Sequence, residues 1–322
     1  VPEYPLFHYQ PYELALSSKL VDMVKLHKID VLHVHYAIPH AYAAYMAKKM
    51  LHEEGINLPI VTTLHGTDIT LVGSHPFYKP AVAFSINKSD AVTSVSQSLK
   101  DDTIRLFDIT NEIQVVPNFI DFSKYSDEFK DCQREMMASN NEKIITHISN
   151  FRPVKRIKDV INTFFQIQKE IPSKLMMVGE GPEKESAELL CEKLGIEDKV
   201  LFFGKSHEID KILCFSDLFL LPSETESFGL AALEAMASGV PVISSNSGGI
   251  PEVNKHGVSG YLSAVGDTKE MVHHALSILR DDSLLAMFKE NAKAEARQFD
   301  IHKIVPFYES IYNKAMTNCI SI

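Results

Sequence analysis

Short apolar runs alternate with longer stretches of helical spacing along most of the chain. Runs at 29–35, 59–64, 91–95 and 113–117 predict four strands, and 13–27, 41–54, 77–88 and 98–107 carry helical periodicity. The rhythm breaks over 118–142, a polar stretch with Asp127, Glu128, Lys130 and Asp131 that ends in Ser139, Asn140 and Asn141. It restarts with strands at 143–149, 175–178, 200–203, 218–221 and 240–244, and a short one at 261–262. Helical segments fall at 160–170, 183–194, 209–215, 230–237, 269–280 and 282–297, and an amphipathic helix over 304–316 follows. The strands are continuous apolar runs, as expected when both faces of a sheet are buried. Strands separated by helices predict βαβ units and parallel sheets. The expected fold class is α/β, with two doubly wound, Rossmann-like domains over 1–135 and 136–300, and a terminal helical segment over 301–322.

A length of 322 residues fits two domains, and 45% hydrophobic with 23% charged residues is globular usage. The net charge of −10 lacks the basic excess of a general nucleic-acid binder, while leaving room for a local phosphate site. No apolar run approaches the ~20 residues of a membrane span. No signal-peptide pattern follows Val1. The expectation is a soluble, cytoplasmic protein with no nucleic-acid partner and no membrane span, compatible with a homo-oligomer. The four cysteines, Cys132, Cys191, Cys214 and Cys319, form no CxxC pair and are expected as reduced thiols.

Ligands of open α/β sheets bind beyond the carboxyl ends of the strands. Two such domains facing each other would form a cleft, so residues just after strands carry the candidate chemistry. The most specific segment is 226–234, with Glu226 in a loop and Glu234 inside the following helix. Between them, the backbone N–H groups of Phe228, Gly229 and Leu230 open a helix, which favours a phosphate. A helical acid can accept hydrogen bonds from sugar hydroxyls. The plain alternative is a solvated helix with a capping Glu. The glycines of Ser247-Gly248-Gly249 form another loop after a strand, and a tight turn alone would explain them.

Arg152, Lys155 and Arg156 follow the strand ending at Ser149. Three cations in five residues can neutralise a departing diphosphate, though a solvated basic turn has the same composition. Thr63, His65, Gly66 and Thr67 follow another strand and suit an acceptor site or proton relay. His33 and His35 share one strand face, which fits either a packed pair or two ligands of a metal. Tyr36 at that strand's end is the better functional candidate.

The segment 226–234, the Arg152/Lys155 cluster, the loop 178–183 and the loop 247–252 together resemble glycosyltransferase family four, over nearly the whole chain. The resemblance implies the GT-B fold, a nucleotide-sugar donor, retention of anomeric configuration and no metal or other cofactor. It places the acceptor on the first domain, the donor on the second, and the helix of 301–322 back toward the first domain. The segments 35–40, 63–70 and 149–156 are similar to family members that transfer N-acetylglucosamine from UDP-N-acetylglucosamine to the hydroxyl of L-malate, a small dicarboxylate, in bacillithiol biosynthesis. That likeness implies roles: Glu234 on the ribose, Glu226 on the donor sugar, and Arg152 with Lys155 on the diphosphate. His65 would be catalytic, with Tyr36, Thr63 and Thr67 lining the acceptor region.

One departure stands out. Family members open with a strand and a Gly-rich loop, and no such loop lies in the first fifty residues. The first domain is therefore expected to be incomplete at its start. Other readings stay open: a family-four enzyme with a different acceptor, a non-catalytic sugar-nucleotide module, and a metal-dependent hydrolase built on His33 and His35.

Overall fold

A computed structural model describes residues 12–125, 134–139, 141–206 and 208–320. The opening segment, Asp127, Glu128, Lys130, Asp131, Cys132 and Asn140 lie outside these. The chain divides into two compact units, Val1–Pro117 with His302–Ile322, and Asn118–Ile301.

The first unit holds helices α1 (Tyr12–His27), α2 (Tyr42–Glu53), α3 (Lys79–Asn87) and α4 (Gln97–Leu106) and strands β1 (Leu32–His35), β2 (Ile60–Leu64), β3 (Ala91–Ser94) and β4 (Ile113–Val115). The four strands are parallel and lie in chain order β1-β2-β3-β4. Each crossover steps the same way along the sheet. β2 is buried at every position, which explains its unbroken apolar and Thr composition.

In the second unit, strands β5 (Lys143–Ile148), β6 (Ser173–Val178), β7 (Val200–Gly204), β8 (Leu218–Leu221), β9 (Val242–Ser245) and β10 (Gly260–Ser263) form one parallel sheet. Its helices are α5 (Ile157–Glu170), α6 (Lys184–Leu194), α7 (Ile209–Cys214), α8 (Leu230–Ala237), α9 (Ile250–Val253), α10 (Thr268–Leu279) and α11 (Asp282–Ala296). The sheet order is β10-β9-β8-β5-β6-β7. The chain builds outward from β5 through β6 to β7, then returns and builds outward the other way from β8. The direction of winding therefore reverses between β5 and β8, the place where open α/β sheets leave a crevice for ligands. The last helix, α12 (Ile301–Ile320), belongs to the first unit from His302 onward.

The units divide at Pro117/Asn118, earlier than the 135/136 division read from the polar stretch. Pairing explains the difference. The Ile120 N–H donates to the Phe299 carbonyl (3.0 Å) and the Ile301 N–H to the Ile120 carbonyl (2.9 Å), so 118–120 is committed to the second unit. Further along, Arg134 donates to the Asp217 carboxylate at 2.7 Å, beside Lys289 at 3.0 Å and the Ile144 N–H at 2.9 Å. Burial opposes the charged form of Asp217. Lys289, the Ile144 amide and Arg134 outweigh it and hold the carboxyl below its usual range. Cys191 and Cys319 are free, but Cys214 is disulfide-bonded, which corrects the expectation of four thiols. Among the described residues no helix is long and apolar enough to cross a membrane.

Candidate active site

Four loops converge at the carboxyl ends of β5, β6, β8 and β9 around the winding reversal. The loop after β5 turns sharply: Phe151 (φ 40°) and Arg156 (φ 53°) adopt left-handed conformations around a single 3-10 turn, Pro153–Lys155. This loop is tied to the loop after β8 by the Glu224 N–H donating to the Val154 carbonyl at 2.8 Å. As a result Lys155 Nζ reaches the Glu226 carboxylate at 2.5 Å, both side chains being mostly buried. Ser223 Oγ lies 3.4 Å from the same oxygen.

Two glycines make the convergence possible. A Cβ on Gly179, after β6, would stand 1.8 Å from the Ser149 carbonyl oxygen, and a Cβ on Gly248 would stand 2.0 Å from the Glu226 carbonyl oxygen. Both have positive φ, 124° and 57°. The paired glycines 248–249 thus seat one loop directly on the backbone that carries Glu226, with the Gly249 N–H donating to the Glu226 carbonyl at 2.8 Å.

Gly229 (φ 98°) caps α8, and the amides of Phe228, Gly229 and Leu230 open that helix. The Phe228 ring is buried against Phe299, with centroids 5.6 Å apart, so this residue offers its backbone rather than its side chain. Leu230 is exposed. Glu234 lies one turn into α8, largely buried, with no cation or hydrogen-bond donor on its carboxyl among the described residues. Burial pushes its pKa up to about 7. A carboxylate held in this way is ready to accept hydroxyl donors. The same charge, after burial, contributes to raising the Tyr125 phenol. Arg152 is exposed at the entry to the β5 loop.

His147, on β5, is a functional neighbour that sequence reading passed over. It is fully buried between β5 and β8, with Nδ1 2.8 Å from the Leu220 carbonyl and Nε2 2.8 Å from Ser149 Oγ. Ser149 Oγ in turn accepts the Phe151 N–H at 3.2 Å. Burial holds the imidazole neutral, its pKa lowered to about 4. The ring anchors the start of the Arg152–Arg156 loop. Its signal in the sequence is only a His in an apolar strand.

The first unit carries a different set of groups. The loops after β1 and β2 are joined by Asp68, which is buried and accepts the Ala37 N–H (2.7 Å), the Gly66 N–H (3.0 Å) and the His65 N–H (3.3 Å). Burial raises its carboxyl above the usual range even against those donors. The Tyr36 ring lies 5.0 Å from that of His65. Tyr36 and the exposed Thr67 line a cleft of about 580 Å³ together with Glu13, Tyr42, Asp68 and Tyr78. Among the described residues no Lys or Arg lines it.

Thr63 departs from its expected place in the acceptor region. It is buried, and its hydroxyl is 2.7 Å from both His33 Nε2 and Thr93 Oγ1. His33 Nδ1 is 2.7 Å from the Tyr312 hydroxyl of α12. Burial, then His35 and His65, lower the His33 pKa to about 4. His33 and His35 do share a face, with centroids 4.6 Å apart, but both nitrogens of His33 are committed and none remains for a metal. Among the described residues no group of three or more His, Cys, Asp or Glu side chains is arranged to hold a metal ion.

Two family models match the chain: Glycosyltransferase Family 4 over residues 1–124 and Glycosyl transferases group 1 over residues 130–295. The chain is 48% identical, over 97% of its length and 82% of the relative's, to N-acetyl-alpha-D-glucosaminyl L-malate synthase of Bacillus anthracis. It belongs to the family-four glycosyltransferases. Its fold class is GT-B, built of two parallel-sheet α/β domains. The structure of Anabaena Alr3699/HepE in complex with UDP and glucose superposes on this glycosyltransferase with a TM-score of 0.79, at 23% identity over 93% of this chain and 80% of that one. Sucrose-phosphate synthase of Thermosynechococcus elongatus gives 0.77, at 20% identity over 98% and 82%. The match to the second model spans the glycosyltransferase's switch-point loops, with Lys155, Glu226 and Glu234 all inside it.

Proposed function

We propose that this glycosyltransferase transfers N-acetylglucosamine from UDP-N-acetylglucosamine to the hydroxyl of L-malate, with retention at the anomeric carbon and without a metal. The observation that carries this reading is the 48% identity to the Bacillus anthracis malate synthase across 97% of the chain. The residues of the second unit supply a chemical rationale. Glu234 accepts the ribose hydroxyls, and Lys155 with Arg152 neutralises the diphosphate. The amides of 228–230 add N–H donors to the phosphate, and Glu226 meets the sugar.

Lys155 takes the place that a divalent ion would otherwise fill in stabilising the leaving diphosphate. Glu226 is ion-paired to Lys155 at 2.5 Å. An engaged carboxylate suits holding charge and hydroxyls better than attacking carbon. This favours a front-face path, in which the departing phosphate accepts the acceptor's proton. Tyr36, His65 and Thr67 then serve the acceptor side. The cleft of Tyr36 and Thr67 has no Lys or Arg among the described residues, so the choice of malate rests on the relative rather than on the cleft.

The test is a donor-by-acceptor panel read by mass spectrometry, with and without a chelator. UDP-N-acetylglucosamine with L-malate should give N-acetylglucosaminyl malate at a rate that the chelator leaves unchanged. Transfer to another acceptor with none to malate would overturn the acceptor assignment. Loss of transfer with chelator would overturn the metal-free mechanism.

A further inference from the structure

His35 ends β1 and His65 follows β2, thirty residues apart. They meet because β1 and β2 pair in the register His35↔Thr63. His35 Nδ1 and His65 Nε2 are 2.8 Å apart, so one proton lies between them. The backbone of His65 is also fixed, through its N–H and that of Gly66 on Asp68. Burial and the neighbouring His35 lower the His65 pKa to about 4, and burial and His40 lower that of His35. Both rings are therefore neutral at neutral pH, and each carries one N–H.

Two proton arrangements satisfy that bond. In one, His35 Nδ1–H donates to His65 Nε2, and both rings hold the less stable Nδ1–H tautomer. In the other, His65 Nε2–H donates to His35 Nδ1, and both rings keep the Nε2–H tautomer that neutral imidazole prefers. The second arrangement leaves a lone pair on His65 Nδ1, which has no hydrogen-bond partner among the described residues. The Tyr36 ring lies beside this imidazole at 5.0 Å, and Thr67 follows two residues on.

We propose that His35 is the positioning residue of this site: it receives the Nε2–H of His65 and so leaves Nδ1 as the nitrogen that His65 turns to a substrate hydroxyl. This rests on the glycosyltransferase reading above and adds the working nitrogen, its protonation and the residue that sets both. His35 acts only through His65.

Two measurements test it. Long-range ¹H–¹⁵N spectra of the ¹⁵N-histidine protein without substrate, with His65 assigned by its loss in His65→Gln, should show Nε2 protonated and Nδ1 unprotonated at neutral pH. A protonated Nδ1 overturns the proposal. In the transfer assay, His35→Leu should lower kcat/KM about tenfold, the scale of one lost hydrogen bond, with UDP affinity unchanged. His35→Asn, whose amide oxygen can still accept the Nε2–H, should recover most of that loss. Equal activity of the Leu variant and wild type, or no recovery with Asn, also overturns it. If wild type fails to make N-acetylglucosaminyl malate, the acceptor reading falls, while the spectrum still decides the tautomer. If the Leu variant does not fold, the spectrum and the Asn variant decide.

Discussion

The two sheets of this glycosyltransferase are both parallel and both carry their unusual residues just past the strand ends, yet they assemble different chemistry there. In the second unit the winding reverses between β5 and β8, and the loops on either side meet as the Lys155–Glu226 ion pair. In the first unit the described strands β1 to β4 run in chain order, and the groups gathered are imidazoles, hydroxyls and one buried carboxylate, Asp68, that accepts backbone N–H groups from the loops after β1 and β2. Across the reversal the two loops are linked by the Glu224 N–H on the Val154 carbonyl and by a cation on one facing a carboxylate on the other. Between β1 and β2 a carboxylate, Asp68, joins the two loops through their backbone N–H groups instead. A lysine is available at the site where one loop sets it against the next loop's carboxylate, and among the described residues none is drawn in where a carboxylate is used on backbone N–H groups.

That contrast predicts the largest effect for Lys155. Lys155→Ala should lower kcat/KM by about 10²–10³-fold, the scale of removing one preorganised group from developing negative charge. A change of less than threefold would place the leaving group elsewhere.

Glu234 should come next. Glu234→Ala should weaken UDP binding by about 10- to 150-fold, since a hydrogen bond to a charged group is worth ~1.5–3 kcal/mol. The raised pKa adds a pH signature. Between its ordinary value near 4.5 and about 7, the folded chain holds a proton that the unfolded chain has released, so this group costs stability as pH rises through that window. UDP needs the ionised carboxylate, so its affinity should rise with pH through about 7. A UDP affinity that is flat from pH 5.5 to 8.5, in wild type and variant alike, would remove Glu234 from the donor site.

Within the first unit the effects should be smaller and of two kinds. Thr63→Val removes the hydroxyl shared by His33 and Thr93 and should cost about 1–3 kcal/mol in urea unfolding, with UDP affinity unchanged. Thr67→Val alters an exposed position and should change stability by no more than about 0.5 kcal/mol. Its expected effect is a several-fold rise in the malate KM alone. The opposite pattern, Thr67 structural and Thr63 selective for malate, would reverse the assignment of these two residues.

Much of this was legible in the sequence because it is local. Continuous apolar runs marked the buried strands, and the chemistry lay just after them: Arg152 and Lys155 past β5, Glu226 past β8 and His65 past β2. Partnerships made across the sheets were not legible. Nothing in the sequence pairs Lys155 with Glu226, which are 71 residues apart. Nor does it turn Thr63 inward to His33 and Thr93, or bring Tyr312 279 residues back to His33. The unit boundary escaped for the same reason, because pairing between Ile120 and 299–301, not polarity, decides which unit the chain after Pro117 joins. Asp68 had a weak local signal, a carboxylate two residues past Gly66, where it can accept N–H groups of its own turn.

The most direct test of the central claim is calorimetric titration of UDP and of uridine into wild type and Lys155→Ala. The variant should bind UDP at least about tenfold more weakly and uridine as well as wild type does, because Lys155 meets only the diphosphate. Unchanged UDP affinity, or equal loss for both ligands, would contradict a diphosphate site at the β5/β8 reversal.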